Sequence, residues 1–434
     1  MAEKTDVSLR NQVIYCVYVR NHTEQGTFRA LEQDLPRIAA LGVTIIWLMP
    51  IHPVNEVVKR GAYGCPYSIR DYRAICEDYG SLADFHALVD RIHALGMRVI
   101  IDVVYNHTSR DSVLLKEHPE YFYRNQSGDP INRVPDWDDV ADLNYNVEGL
   151  WDYQIETLRY WAEMVDGFRC DVAPMVPLSF WKKAISSVAQ VNPQAIWLAE
   201  VGGPGFMRWL ERLGCPWWCE NELLTAFDMT YDYDGHDHFK KYLFCQIPLS
   251  EYTQYLCNQN GLNPRNYVKL RFLENHDQPR AKERIPVRQD LINFTAFYYF
   301  LLGPALIYAG GEFSNDFSPS LFEKQPIDRS GEDLSWLFTA LSAIKRLPIF
   351  AVGYFDMWAD DEKNTAIGTY RADRETAVGV FCLRASRGTV RVPLPDGQYV
   401  NQIDGKKIKI YRGRMNLCHC PAVIITQNPD SDLV

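Results

Sequence analysis

SLADFHALVDRIHALGMRVIIDVVYNH, residues 81–107, is the stretch from which the fold follows. Its first half sets Leu82, Phe85, Leu88, Val89, Ile92 and Leu95 on one face of a helix, with Ser81 and Asp84 spaced as a capping box and Gly96 as the stop. The second half, 98–104, is a continuous apolar run rather than an alternating one. Such a strand is covered on both faces, as in parallel sheets flanked by helices. The unit reads as helix, tight turn, buried parallel strand.

Outward from this unit, similar runs recur at 13–19, 44–50, 166–172, 195–200, 226–230, 269–274 and 305–309. Amphipathic stretches lie between them, one at 149–164 with Trp151, Ile155, Leu158 and Ala162 on a stripe. Eight buried strands alternating with helices predict an α/β fold, a (β/α)8 barrel, with a doubly wound open sheet as the alternative. Residues 106–148, rich in Asp, Asn, Pro and Tyr, are too long for a loop and read as a small insertion domain after the third strand. From 351 the pattern changes to short strands and turns at 365–370, 377–383, 388–393 and 422–426, which predicts a C-terminal all-β domain, a β-sandwich over 351–434. The barrel is then 1–105 together with 149–350. A chain of 434 residues accommodates this plan at roughly 100–200 residues per domain.

Composition narrows the function. With 47% hydrophobic and 23% charged residues the chain is neither disordered nor fibrous. A net charge of −10 supplies no basic stripe for nucleic acid and disfavours polyanionic substrates. The start, MAEKTDVSLR, has no apolar core of signal-peptide length, so the expected location is cytoplasmic. The uncharged stretch 291–311 approaches a membrane span, but Gly303 and Pro304 interrupt it, and it reads as buried helix, turn and buried strand. No membrane partner is expected. Among the 11 cysteines, Cys215 and Cys219 are spaced C-x-x-x-C and Cys418 and Cys420 C-x-C, neither matched by a second pair at zinc-ligand distance, so reduced thiols are expected.

Barrel chemistry sits at the C-terminal ends of the strands. There the sequence places Asp102, Asn106 and His107 at the third strand, Arg169 and Asp171 at the fourth, Glu200 at the fifth, and His276 and Asp277 after the seventh. Each alone is explained by a helix cap or an ion pair. Together, three carboxylates around one rim suggest a metal site or acid/base work on a sugar, and the interleaved Arg and His argue against a dedicated cation site. Glycoside cleavage needs one carboxylate to attack the anomeric carbon and one carboxylic acid to protonate the leaving oxygen. Arg169 beside Asp171 is expected to keep that carboxylate ionised, and negative neighbours are expected to push Glu200 toward its protonated form.

In order along the chain, GVTIIWLMP at 42–50, DVVYNH at 102–107, ADLN at 141–144, GFRCD at 167–171, LAEVG at 198–202, ENHD at 274–277 and GPALIYAGGE at 303–312 resemble the α-amylase family, glycoside hydrolase family 13. The resemblance implies a hydrolase with Asp171 as nucleophile, Glu200 as acid and then base, and Asp277 as the third, transition-state carboxylate. It further implies substrate binding by Tyr67, as an aromatic platform, and by His107, Arg169, His276, Asp102 and Gln278. The substrate implied is an α-glucan or α-gluco-oligosaccharide, linked α-1,4, α-1,6 or both. Val172 after the nucleophile, and Gln278-Pro279-Arg280 after Asp277, look like the oligosaccharide-cleaving α-glucosidase and oligo-1,6-glucosidase branches. Val172, Ala173, Pro174 and Met175 stand where typical endo-acting members carry Lys and His contacts to the leaving group. A transferase or isomerase with the same covalent step is the alternative, followed by a non-catalytic carbohydrate binder. Asn106 and Asp142 are the calcium candidates the resemblance offers. Asn106 serves equally as a strand cap, and Asn21-His22-Thr23-Glu24 lacks an Asp-x-Asp-x-Asp ladder, so no cofactor is expected to be required.

Overall fold

In the computed structural model, which describes residues 4–427, eight parallel strands form one sheet. The first residues of MAEKTDVSLR and the end of the expected C-terminal unit lie outside the described residues. The strands are β1 (Val13–Val17), β2 (Ile45–Leu48), β3 (Arg98–Val103), β4 (Gly167–Cys170), β5 (Ile196–Ala199), β6 (Met229–Tyr231), β7 (Lys269–Leu270) and β8 (Ala305–Tyr308). Each pairs with the next, β8 pairs back onto β1, and an Arg271–Ala305 bridge joins β7 to β8. The ring is therefore a (β/α)8 barrel and not an open sheet.

Continuous apolar sequence became continuous burial: every residue of β1, β2 and β8 is buried. The helix of the opening stretch runs Leu82–Ala94, and Ser81 and Asp84 close the capping box in both directions. Residues 291–311 divide into a helix, Arg288–Phe300, and β8. Gly303 makes that turn with φ +128°, where a Cβ would lie 2.0 Å from the Lys269 carbonyl oxygen, so no other residue lets the chain pass so close to β7. Among the described residues no helix is long and apolar enough to cross a membrane.

After β3 the chain leaves the barrel, and His107–Ser109 pairs antiparallel with Val140–Asp142. Beyond the barrel, two four-stranded antiparallel sheets form the C-terminal all-β domain. The first contains β9 (Tyr354–Asp360), β10 (Thr365–Arg371), β11 (Glu375–Cys382) and β16 (Ala422–Gln427). The second contains β12 (Thr389–Arg391), β13 (Gly397–Val400), β14 (Lys407–Tyr411) and β15 (Arg414–Asn416). They share a core of Ile367, Val378 and Val380 against Val390, Ile410 and Met415. All eleven cysteines are free thiols.

Candidate active site

The backbone ladder continues past the strand ends and fixes the two central carboxylates. Asp171 N donates to Val103 O at 2.8 Å, and Glu200 N to Cys170 O at 2.9 Å. Val172, next in sequence, has φ +35°, a left-handed conformation that a β-branched residue adopts only under constraint. That conformation turns its N–H onto Glu200 Oε2 at 3.0 Å. The strained residue thus links one carboxylate to the other.

Arg169 sits beneath them, completely buried. Its Nη1 donates to Asp102 Oδ1 and Asp171 Oδ1, both at 2.8 Å, and its Nη2 is 2.9 Å from Glu200 Oε1. The Nη2 contact is an ion contact out of line for a hydrogen bond, which leaves Nη2 without an aligned acceptor. Trp47, Tyr67 and Tyr231 present ring faces to the guanidinium at 5.2, 5.6 and 5.8 Å. One cation therefore serves three buried carboxyls.

This sharing alters the expected electrostatics. Burial raises Asp171 to about 7, against the lowering effect of Arg169. Burial again, with Arg169 opposing and Asp171 and Asp277 adding, raises Glu200 to about 8. Arg169 thus does not hold Asp171 in the ordinary carboxylate range, and desolvation rather than negative neighbours is the main cause of the Glu200 shift. His276, lowered by burial to about 4, and His107, also lowered by burial, are neutral hydrogen-bonding groups at pH 7.

These groups open on a cavity of about 420 Å³ lined by Tyr67, His107, Asp171, Glu200, His276 and Asp277. Tyr67 stacks on His276 with centroids 5.5 Å apart, and its hydroxyl bridges His276 Nε2 at 2.7 Å and Asp102 Oδ2 at 3.1 Å. Asp277 is the most open of the three carboxylates, with its side chain 42% exposed and Oδ2 3.2 Å from His276 Nε2. Three expected substrate contacts do not reach the cavity, the first being Arg169, which is fully buried beneath the carboxylates. Asp102 is fully buried, because its strand position points it at Arg169 and Tyr67. Gln278 turns away and accepts from Arg284 Nη2 at 3.1 Å.

The calcium candidates are also differently employed. Arg133 lies between them, its Nε 2.8 Å from Asp142 Oδ2 and its Nη2 3.1 Å from Asn106 Oδ1. Asp142 Oδ1 has no protein partner, a single spare oxygen where calcium takes six to eight. Among the described residues no three His, Cys, Asp or Glu side chains converge as a metal site. The donor set does not fit calcium, because a guanidinium already supplies the positive charge. Asn106 in turn donates Nδ2 to His107 Nδ1 at 3.1 Å, leaving Nε2 as the protonated nitrogen.

Among the walls that sequence reasoning missed are Arg60, Trp137, Phe206, Tyr233 and Phe322. Tyr233 had a signal, since it follows the end of β6 as the other site residues follow their strands. Phe206 lies on the helix Pro204–Arg212, and Arg60, Trp137 and Phe322 come from irregular segments.

Residues 17–138 match the description "Alpha amylase, catalytic domain", and 357–424 match "Bacterial Alpha amylase C-terminal domain". An alpha-amylase structure from Lactobacillus plantarum is 42% identical, with a TM-score of 0.94 over 97% of this chain and 100% of that one. A maltogenic alpha-amylase structure from Thermotoga neapolitana is 31% identical, with a TM-score of 0.87 over 97% and 100%. Alpha-amylase MalA of Haloarcula japonica is 31% identical over 40% of this chain and 27% of its own length. A maltose-1-phosphate maltosyltransferase of Streptomyces coelicolor is 27% identical over 58% of this chain and 37% of its own. The chain thus spans between about a quarter and two fifths of those two curated relatives. With a barrel of this topology and solved relatives aligned over nearly its full length, the chain belongs to the alpha-amylase family.

Proposed function

We propose that the protein is a retaining α-glucoside hydrolase acting on α-1,4 or α-1,6 linked gluco-oligosaccharides or starch-derived glucans. The observation that carries this reading is the single guanidinium of Arg169 touching both Asp171 and Glu200 at the floor of an aromatic-walled cavity. Asp171 attacks the anomeric carbon while the bond to the leaving oxygen breaks, and Glu200 delivers its proton to that oxygen. Glu200, now a carboxylate, takes a proton from water as the water attacks the anomeric carbon and Asp171 leaves. Tyr67 forms the platform under the sugar, His107 and His276 bind its hydroxyls as neutral imidazoles, and Asp277 stabilises the oxocarbenium-like transition state. The test is Asp171→Asn with soluble starch, maltotriose and panose. Turnover lost at an unchanged unfolding midpoint supports the assignment, and a fully active variant removes it. Retention itself is read by NMR, as the α anomer in the first product.

Similarity to the Streptomyces maltosyltransferase favours one second reading, transfer of the glycosyl group to a sugar. The aromatic rings of Phe206 and Tyr233 beside Glu200 offer an acceptor sugar a surface. Longer saccharides among the products at high substrate concentration indicate transfer, and free glucose and maltose indicate hydrolysis.

A further inference from the structure

The cavity has two unlike sides. Around the ring, Glu200 follows β5, and the wall beyond it is Gly202, Gly203, Phe206 and Tyr233, with two residues that carry no side chain. The leaving group must pass on this side, because Glu200 has to reach the oxygen of the bond being broken. Across the ring stand the segments after β2, β3 and β8, and these are tied together. Arg60, after β2, donates to Asp136 O and to Asp138 Oδ1 at 2.5 Å and lies 3.2 Å from Asp139 Oδ1, all in the segment after β3. The same guanidinium lies 5.9 Å from the centre of the Phe322 ring, after β8. Tyr63 N donates to Phe322 O at 3.0 Å, and Ala62 N to Glu323 Oε1 at 3.1 Å. Gly61 has φ +59°, and a Cβ there would lie 2.7 Å from Phe322 Cβ, so the two segments are in direct contact.

We infer that this clamp of Arg60, Trp137, Leu321 and Phe322 closes the cavity on the side of the transferred sugar, so that the protein takes the non-reducing end of an α-glucan or oligosaccharide rather than an internal segment. The inference rests on the hydrolase reading and adds the part of the substrate that is recognised. An internal glucosyl unit continues through its 4-hydroxyl, and that continuation meets the wall of three stitched segments. A chain end has nothing to place there. Arg60 is a specificity-determining residue in this arrangement, since its guanidinium contacts both of the other two segments.

The experiment compares p-nitrophenyl maltoheptaoside with the same compound blocked at its terminal 4- and 6-hydroxyls, products being resolved by chromatography, for the wild type and for Arg60→Ala. The expected result is cleavage of the open substrate and at least about tenfold slower cleavage of the blocked one, the scale on which a fixed pocket wall discriminates. Arg60→Ala is expected to narrow that ratio by restoring cleavage of the blocked compound. Equal wild-type rates on both compounds overturn the inference while leaving the hydrolase reading in place. Panose is run beside them: cleavage of none of the three overturns the hydrolase reading and this inference with it, and cleavage of panose alone confines the hydrolase to α-1,6 bonds and overturns this inference. An unchanged ratio in folded Arg60→Ala overturns the part assigned to Arg60, and the wild-type comparison decides the rest even where that variant does not fold.

Discussion

Arg133→Met tests whether a side chain does the work of a metal ion in the insertion. The Asp142 side chain is 0% exposed, and Arg133, 16% exposed, is its ion partner. Removing one member of a buried pair leaves the other uncompensated, at a cost of about 3–5 kcal/mol. Methionine retains the apolar stem against Tyr123, whose ring lies 4.5 Å from the guanidinium carbon, so the loss falls mainly on charge and hydrogen bonding. With an unfolding entropy of about 2.1 cal/mol/K per residue over 434 residues, each kcal/mol moves the midpoint by about 1 °C, so it should drop by roughly 3–5 °C. The assay is a thermal scan at one fixed rate, run with EDTA and with millimolar calcium. The wild type is expected to give the same midpoint in both media, because its cation is covalently part of the chain. A wild-type midpoint that falls in EDTA, or a variant as stable as the wild type, would refute the reasoning. KM should rise as well, because Asn106 loses its Arg133 donor and His107 its fixed orientation.

The shifted carboxyls set the pH dependence. The rate should climb as pH rises through the raised Asp171 value and fall as pH passes the higher Glu200 value, giving an optimum near neutrality, and Glu200→Gln should remove the alkaline limb. An optimum in the range of unshifted carboxyls, about pH 4, would contradict this. Asp102→Asn should move the acid limb of kcat/KM to lower pH, since Arg169 then serves one carboxylate fewer and lowers Asp171 more effectively; an acid limb that stays put would show that Asp102 has only a packing role. Lys345→Met should raise the unfolding midpoint at pH 7, because the buried ammonium has a single acceptor, Leu301 O at 2.6 Å, and burial pushes its pKa well down. The folded lysine binds its proton less tightly than the unfolded one, so the wild type loses stability as pH falls below about 10.4, and the gain from methionine should shrink as pH rises toward that value. A lower midpoint for the variant at pH 7 would mean that the bond to Leu301 outweighs the desolvation.

How much was legible depended on where a residue's environment is decided. Barrel strands were readable because burial on both faces leaves an unbroken apolar signature, and their polar ends were readable as the interruption of that signature. The run at 269–274 failed in part. Only Lys269–Leu270 forms β7, with Arg271 adding a single bridge to Ala305, and the buried side chains of Lys269 and Arg271 turn toward the carboxylates Glu220 and Asp232. Strand β9 was not recognised because the large side chains Tyr354 and Trp358 lie on its exposed face, which inverts the usual pattern. The side walls were beyond reach for another reason. Arg60 meets Asp138 across 78 positions, and Ala62 meets Glu323 across 261, so no local pattern records either contact. Arg133 illustrates the same point from the chemical side. Asn106 and Asp142 do present oxygens toward a positive charge, but the sequence did not reveal that the charge belongs to a neighbour in the irregular insertion.

Charge counting connects the catalytic proton to the fold. Arg169 contributes one positive charge to a space shared by Asp102, Asp171 and Glu200, all of them buried. Ionising all three would leave two uncompensated negative charges out of water, at several kcal/mol each, whereas retaining a proton reduces the excess. The proton settles where the guanidinium is least effective. Asp102 and Asp171 accept aligned hydrogen bonds from Nη1, while the contact of Nη2 with Glu200 is misaligned. Glu200 is therefore the carboxyl whose ionised form is least well supported, and it is also the one whose position the strained Val172 N–H fixes. Glu200, the acid of the proposed reaction, keeps its proton because the barrel supplies one cation for three carboxylates, and Arg169→Lys, with its single point charge in place of a fork, should make the partition of that proton less selective. Its expected signature is acid and alkaline limbs of the pH profile drawn closer together, with a smaller maximum rate. A profile that keeps its width while only its height falls would show that Arg169 acts by packing and not by distributing the charge.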